Sequence, residues 1–108
     1  MVYLLRKQEL QLLEESEFID LLRKIYRYAR ALQLLKRKPL YTREFLTLLG
    51  SWGDSHILLK EMESLGLIVR YHGYCRSSKR RCVYNKVSAK GDKLLDVLGE
   101  LLILMANN

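Results

Sequence analysis

YTREFLTLLGSWGDSHILLKEMESLGLIVRYHGYCRSSKRRCVYNKVSAK, residues 41–90, decides the fold of this 108-residue chain. Thr42 stands where a short helix needs an N-cap, and Phe45, Leu48 and Leu49 mark its buried side. Gly50 then supplies a left-handed C-terminal residue that any side chain would strain. After a turn through residues 51–54, a second helix carries Ser55, Leu58, Met62 and Leu65 on one face. Trp52, Asp54, His56, Ile57, Lys60, Glu61 and Ser64 lie opposite, and Gly66 ends the helix as Gly50 ends the first. Residues 67–75 and 82–88 are β-branched and aromatic and flank the basic run 76–81, which predicts an antiparallel hairpin with a cationic tip.

Upstream, Ser16 precedes Phe18, Ile19, Leu21, Leu22, Ile25, Tyr26, Ala29, Leu32 and Leu35, a stripe with the spacing of a long amphipathic helix. Ser16 is its expected N-cap, seven Lys and Arg decorate its polar side, and it must stop before Pro39. Residues 1–15 have irregular apolar spacing and read as a short helix or an arm packed on a partner. Downstream, Ser88 caps a last helix over about residues 90–105, apolar on more than one face. A small domain covers only one of those faces, so Leu94, Leu98, Leu101, Leu102 and Met105 are expected in a symmetric homodimer interface. The chain is thus one domain: arm 1–15, long helix 16–38, helix pair 41–66, hairpin 67–88 and dimerisation helix 89–106.

The formal net charge of +7 is unevenly placed. Residues 67–90 hold seven basic and no acidic side chains, and residues 16–40 hold seven basic against two acidic ones. Such blocks are the footprint of a polyanion partner, whereas a merely soluble surface mixes the signs. A steep helix pair beside a cationic hairpin suits a DNA groove and its flanking phosphates. The start of the chain is too short in apolar residues for a signal sequence, and the charged C-terminal stretch is too short for a membrane span, which points to the cytoplasm. No nucleophile–base spacing, metal motif or paired carboxylate supports catalysis, and no cofactor is expected. Asp92, Asp96 and Glu100 read as a solvated helix edge.

The run TREFLTLLGSWGDSHILLKEMESLGLIVR, followed by a hairpin that closes on VSAKGDKLL, resembles winged helix-turn-helix regulators of the MarR and PadR type. The marks are LLG at 48–50, LLKEMESLGLI at 58–68, the basic wing, and VS-x-KG-x-x-LL at 87–95. The resemblance implies an α+β, mostly α fold with a two-stranded antiparallel wing and terminal dimerisation helices. It implies that the second helix of the pair enters the major groove of double-stranded DNA with Ser51, Trp52, His56, Ile57 and Lys60. Wing residues Arg76, Lys79, Arg80 and Arg81 would meet phosphate or the minor groove. The activity implied is a sequence-selective, homodimeric transcriptional regulator, a repressor by promoter occlusion, with its effector undefined. One departure stands out: where such helices usually start with Arg or Gln, this one starts Trp52, Gly53, Asp54, with Glu61 and Glu63 further on. That departure favours an alternative, a winged-helix scaffold that binds proteins in a transcription or replication assembly.

Several side chains keep more than one reading. Trp52 either meets a base or sugar or staples the first turn of its helix. His56 is either a contact or a solvated helix residue. Tyr71, Tyr74 and Tyr84 are cross-strand packing partners before they are stacking platforms for bases. Cys75 and Cys82 face each other if the hairpin is symmetric about Ser78–Lys79, and they read as a structural disulfide, a redox switch or two free thiols. Zinc is disfavoured because His72 is the only further soft ligand nearby. With three Asn and three Gln against 19 Lys and Arg, the composition leans thermophilic, the setting in which an intracellular disulfide persists.

Overall fold

The computed structural model of the protein describes residues 13–76 and 79–107, and of Trp52 it describes the backbone alone. Expectations for the arm at 1–12, for the Trp52 side chain and for the centre of the hairpin tip lie outside the described residues. The elements run α1 (Glu15–Arg37), β1 (Leu40–Tyr41), α2 (Thr42–Leu49), α3 (Trp52–Ser64), β2 (Ile68–Tyr74), β3 (Arg81–Val87) and α4 (Ala89–Ala106).

α1 starts one residue before the expected cap: Glu14 is the N-cap, and no side chain bonds there. Ser16 is therefore inside the helix, and Glu15 and Glu17 supply negative charge against the positive end of the helix dipole. Of the expected stripe only Leu32 and Leu35 are buried, and Tyr28 and Ala31, which lie outside it, are buried with them. Phe18, Ile19, Leu22 and Tyr26 stay exposed.

Just past Pro39, Leu40 and Tyr41 pair antiparallel with Asn85 and Tyr84 of β3. The sheet is three-stranded in the order β1-β3-β2, not the expected two-stranded wing alone. A two-residue strand has no periodicity to read; only its partner reveals it. Because Tyr41 is held in the sheet, it becomes the N-cap of α2 and Thr42 the first helical residue. The Thr42 hydroxyl is turned to the sheet, donating to the Val83 carbonyl at 3.2 Å. α2 buries Phe45 and Leu46, while Leu48 is 52% exposed. The buried arc thus centres one residue earlier than expected.

α3 buries Ser55, Leu58, Leu59 and Met62, the expected face widened by Leu59. Gly50 and Gly66, with φ of 96° and 75°, end α2 and α3 in the left-handed region where glycine carries no penalty. The core joins Leu32, Leu35, Leu40, Phe45, Leu59, Met62 and Ile68, with Leu94 and Leu95 of α4 packed against it. Leu94, expected at a dimer interface, is partly buried against the core of its own chain.

Ser88 caps α4 as expected, accepting from the Gly91 amide at 3.0 Å while its hydroxyl donates to the Gly66 carbonyl. A Cβ on Gly91 would run into the Leu67 carbonyl oxygen and come within 2.9 Å of Val87 Cγ1. Backbone cannot swing aside as a flexible side chain does, so Gly91→Ala is expected to cost about 3 kcal/mol through overpacking. Urea denaturation checks this, with Gly99→Ala as control because nothing lies within 4 Å of a Cβ there.

Candidate nucleic-acid interface

The second helix of the pair, α3, presents a continuous outward face because its other side is built into the core. His56 and Lys60 are exposed one turn apart, and Ile57 between them is 60% exposed. Ser51 precedes the helix, exposed and making no side-chain cap bond, so its hydroxyl remains available. Glu61 departs from expectation. It is half-buried and its Oε2 accepts a 2.7 Å hydrogen bond from the Tyr28 hydroxyl on α1. Burial first, and then the Glu61 carboxylate, hold the Tyr28 phenol above its ordinary range, so it stays a donor. One of the carboxylates that weakened the case for DNA is thereby turned toward α1. Asp54 and Glu63 remain exposed.

The hairpin is braced from several directions. Tyr71 and Tyr84 are paired across β2 and β3, with rings stacked at 5.6 Å, so the cross-strand reading holds for them. Tyr41 meets the same Tyr84 ring edge-on at 6.0 Å, and the Tyr84 hydroxyl donates to the Tyr74 carbonyl. Tyr84 also lies where a side chain on Gly73 would go, with its Cδ2 2.9 Å from that position. Tyr74 itself is 71% exposed.

Cys75 and Cys82 are joined in a disulfide, but not in the expected register. Cys82 pairs with Gly73, and the Cys75 amide donates to the Arg80 carbonyl at 2.8 Å. The centre of the hairpin therefore falls one residue earlier than Ser78–Lys79. Pairing is set by Ile68 opposite Val87 and Tyr71 opposite Tyr84, and the thiols meet on a diagonal with Cα atoms 5.3 Å apart.

Of the wing cations, Arg76 is exposed but tied back to the body of the domain. It donates to the Pro39 carbonyl at 2.7 Å, lies 3.5 Å from Glu44 Oε1, and sits over the Tyr84 ring at 5.7 Å. Its charge is largely offset by Glu44, so it acts as a tie between the hairpin and α2. Nothing local in the sequence announces Glu44 as its partner. Lys79, Arg80 and Arg81 are exposed. Arg80 and Arg81 border an open groove that runs back from the hairpin to the start of α2.

A polar cluster beneath the hairpin escaped the sequence reading. Asn85 is fully buried in β3; its Nδ2 donates to the Leu40 carbonyl at 3.1 Å and to Thr42 Oγ1 at 3.2 Å. Its Oδ1 accepts from Arg70 Nε at 3.0 Å, and Arg70 Nη2 donates to Thr42 Oγ1 at 3.1 Å. An asparagine inside a strand otherwise rich in β-formers was the available signal.

The terminal helices present the other exposed feature. Leu98, Leu101 and Leu102 of α4 with Leu22, Ile25, Tyr26 and Ala29 of α1 line an apolar groove of about 440 Å³. Beyond it, Ile103, Leu104 and Met105 are each more than 60% exposed. Among the described residues no helix is long and apolar enough to cross a membrane, and no group of three or more His, Cys, Asp and Glu could hold a metal ion.

A helix pair, a recognition-type helix facing outward and a braced antiparallel wing define a winged helix-turn-helix fold. Solved structures with this fold agree. A PadR family transcription regulator from hypervirulent Clostridium difficile is similar at 24% identity and a TM-score of 0.62, over 75% of this chain and 91% of that one. A PadR-like transcription factor from Bacteroides fragilis gives 18% identity and 0.64, over 83% and 92%. Staphylococcus aureus MepR, solved as a DNA complex, gives 19% and 0.63, over 85% and 80%. No protein-family model and no curated protein matches the sequence.

Proposed function

We propose that the protein is a double-stranded-DNA-binding transcriptional regulator that acts as a homodimer and represses by occupying promoter DNA. The observation that carries the reading is one surface: the outward face of α3, with Ser51, His56, Ile57 and Lys60, beside a hairpin that contains no acid. Lys60 and His56 can donate to base edges or phosphates, and Ile57 offers an apolar surface for a thymine methyl. Lys79, Arg80 and Arg81 supply phosphate contacts, which fix position without reading sequence. The inward turn of Glu61 removes part of the argument for a protein-binding scaffold. Likeness to the PadR and MepR structures supports the same reading.

The dimer follows from apolar surface. The half of α1 that carries Phe18, Ile19, Leu22 and Tyr26 is exposed, as is the half of α4 from Leu101 to Met105. A contiguous apolar surface of this kind costs free energy in water and is covered by association. A second copy across a two-fold axis covers both halves at once and sets two α3 helices about 34 Å apart, one turn of duplex.

Sedimentation equilibrium and titration of random duplex against salt test the two parts. A dimer whose affinity falls steeply with salt supports the proposal. A monomer that ignores duplex at low salt rejects it in favour of the scaffold.

The disulfide favours a second reading, in which thiol redox state tunes the wing. Closing an eight-residue loop stabilises by about 2.5 kcal/mol on the chain-entropy model, so Cys75→Ser with Cys82→Ser should lower stability by that amount. If the double variant and dithiothreitol treatment leave duplex affinity unchanged, the bond braces the hairpin and senses nothing.

A further inference from the structure

Between the hairpin and the start of α2 lies an open groove of about 860 Å³, lined by Tyr41, Thr42, Arg43, Arg70, Cys75, Arg80, Arg81, Cys82 and Val83. Four of those residues are arginines and none is acidic. They come from three elements, α2, β2 and the end of the hairpin, so tertiary folding alone brings them together. Like charges converging on a concavity repel, and folding tolerates that only where something else is gained.

Arg70 is the informative member. It is half-buried, and its guanidinium is oriented by two neutral oxygens, Asn85 Oδ1 at 3.0 Å and Thr42 Oγ1 at 3.1 Å. Its neighbour Arg76 differs, since Glu44 offsets that charge. Arg70 is thus held in one orientation by groups that leave its charge uncompensated, the preorganisation an oxyanion site needs. Arg43, exposed at the second position of α2, and Arg81, exposed at the start of β3, line the same groove.

We infer that this groove is a phosphate-binding site in which Arg70, positioned by Asn85 and Thr42, acts with Arg43 and Arg81 on the oxygens of one phosphoryl group. Planar guanidinium forks match phosphate in pairs of hydrogen bonds, which ammonium groups do not. The phosphate comes from one of two sources: a phosphodiester of duplex backbone, which would extend the proposed DNA interface from the wing to α2, or a small phosphorylated molecule. The first source rests on the proposed function and the second does not.

The full chain is titrated with inorganic pyrophosphate at constant ionic strength, following the Thr42 and Arg43 backbone amides and the Arg70 Nε–H by nuclear magnetic resonance. Saturable shifts at these groups, weakened at least fivefold in Arg43→Gln and in Arg70→Lys, are expected; both variants should keep wild-type spectral dispersion elsewhere. In parallel, random duplex is titrated against salt. A log–log slope shallower for Arg43→Gln, by up to about 0.9, with pyrophosphate displacing the duplex, assigns the phosphate to DNA. Pyrophosphate shifts with duplex binding unaffected assign it to a small phosphorylated ligand. If wild-type protein ignores duplex yet binds pyrophosphate here, the site stands and the regulator reading falls. If no saturable shift occurs and the slope is unchanged while duplex still binds, the site is wrong and the regulator reading survives.

Discussion

Replacing Lys79, Arg80 and Arg81 together by glutamine is expected to weaken binding to random-sequence duplex by about 500-fold at 0.1 M monovalent salt. Each neutralised phosphate releases counterions and contributes about 0.9 to the log–log salt slope, so three contacts carry about 2.7. All three side chains are exposed and none is part of the core, so the fold should be kept. Fluorescence anisotropy at four or five salt concentrations gives the slope directly. A slope change smaller than one would mean that the hairpin does not lie along a phosphate backbone. Ile57→Ala is the useful contrast: an apolar base contact affects preference among sequences and leaves the slope alone. Arg76→Gln should behave differently again. Its charge is tied to Glu44 and Pro39, and its loss should loosen the hairpin more than it changes the slope.

Asn85→Ala is expected to be the most destabilising single change, at about 4 kcal/mol. The side chain is fully buried and serves three partners: the Leu40 carbonyl, Thr42 Oγ1 and Arg70 Nε. Alanine leaves a buried carbonyl and one edge of a guanidinium without their partner, and each such group costs about 1–3 kcal/mol, more when charged. A cavity of amide size adds to this. Since domains of this size are stable by about 5–15 kcal/mol, the variant should unfold at a far lower urea concentration. β1 is held to β3 partly through this residue, so its amides should lose exchange protection first. A loss below 1 kcal/mol would show that water replaces the amide freely and that the cluster is not structural.

These expectations differ in how visible they are before folding. The wing cations are adjacent in the chain, and their charge pattern is plain without coordinates. Asn85 shows only that a polar residue interrupts a strand; its partners Leu40, Thr42 and Arg70 are 45, 43 and 15 residues away. In the sequence Arg76 is indistinguishable from its neighbours; only the fold sets Glu44 beside it. The expected partner of Cys82, Cys75, lies two residues from the actual one, Gly73, for a related reason. The two cysteines invited a symmetric pairing, whereas the Tyr71–Tyr84 and Ile68–Val87 pairs set it.

What the chain determined by itself is its punctuation and its periodicity. Pro39, Gly50, Gly66 and Ser88 act within a few residues of their own position, through a fixed φ, a left-handed φ or one hydroxyl. Apolar spacing between them selects helix or strand just as locally, and so the winged helix was legible in order. The two-residue strand β1, the ties of Arg76 to Glu44 and of Glu61 to Tyr28, the diagonal disulfide and the four-arginine groove were settled only by tertiary structure. Each depends on which distant side chain arrives to offset a charge or complete a hydrogen bond, and that is a property of packing in space rather than of neighbours along the chain.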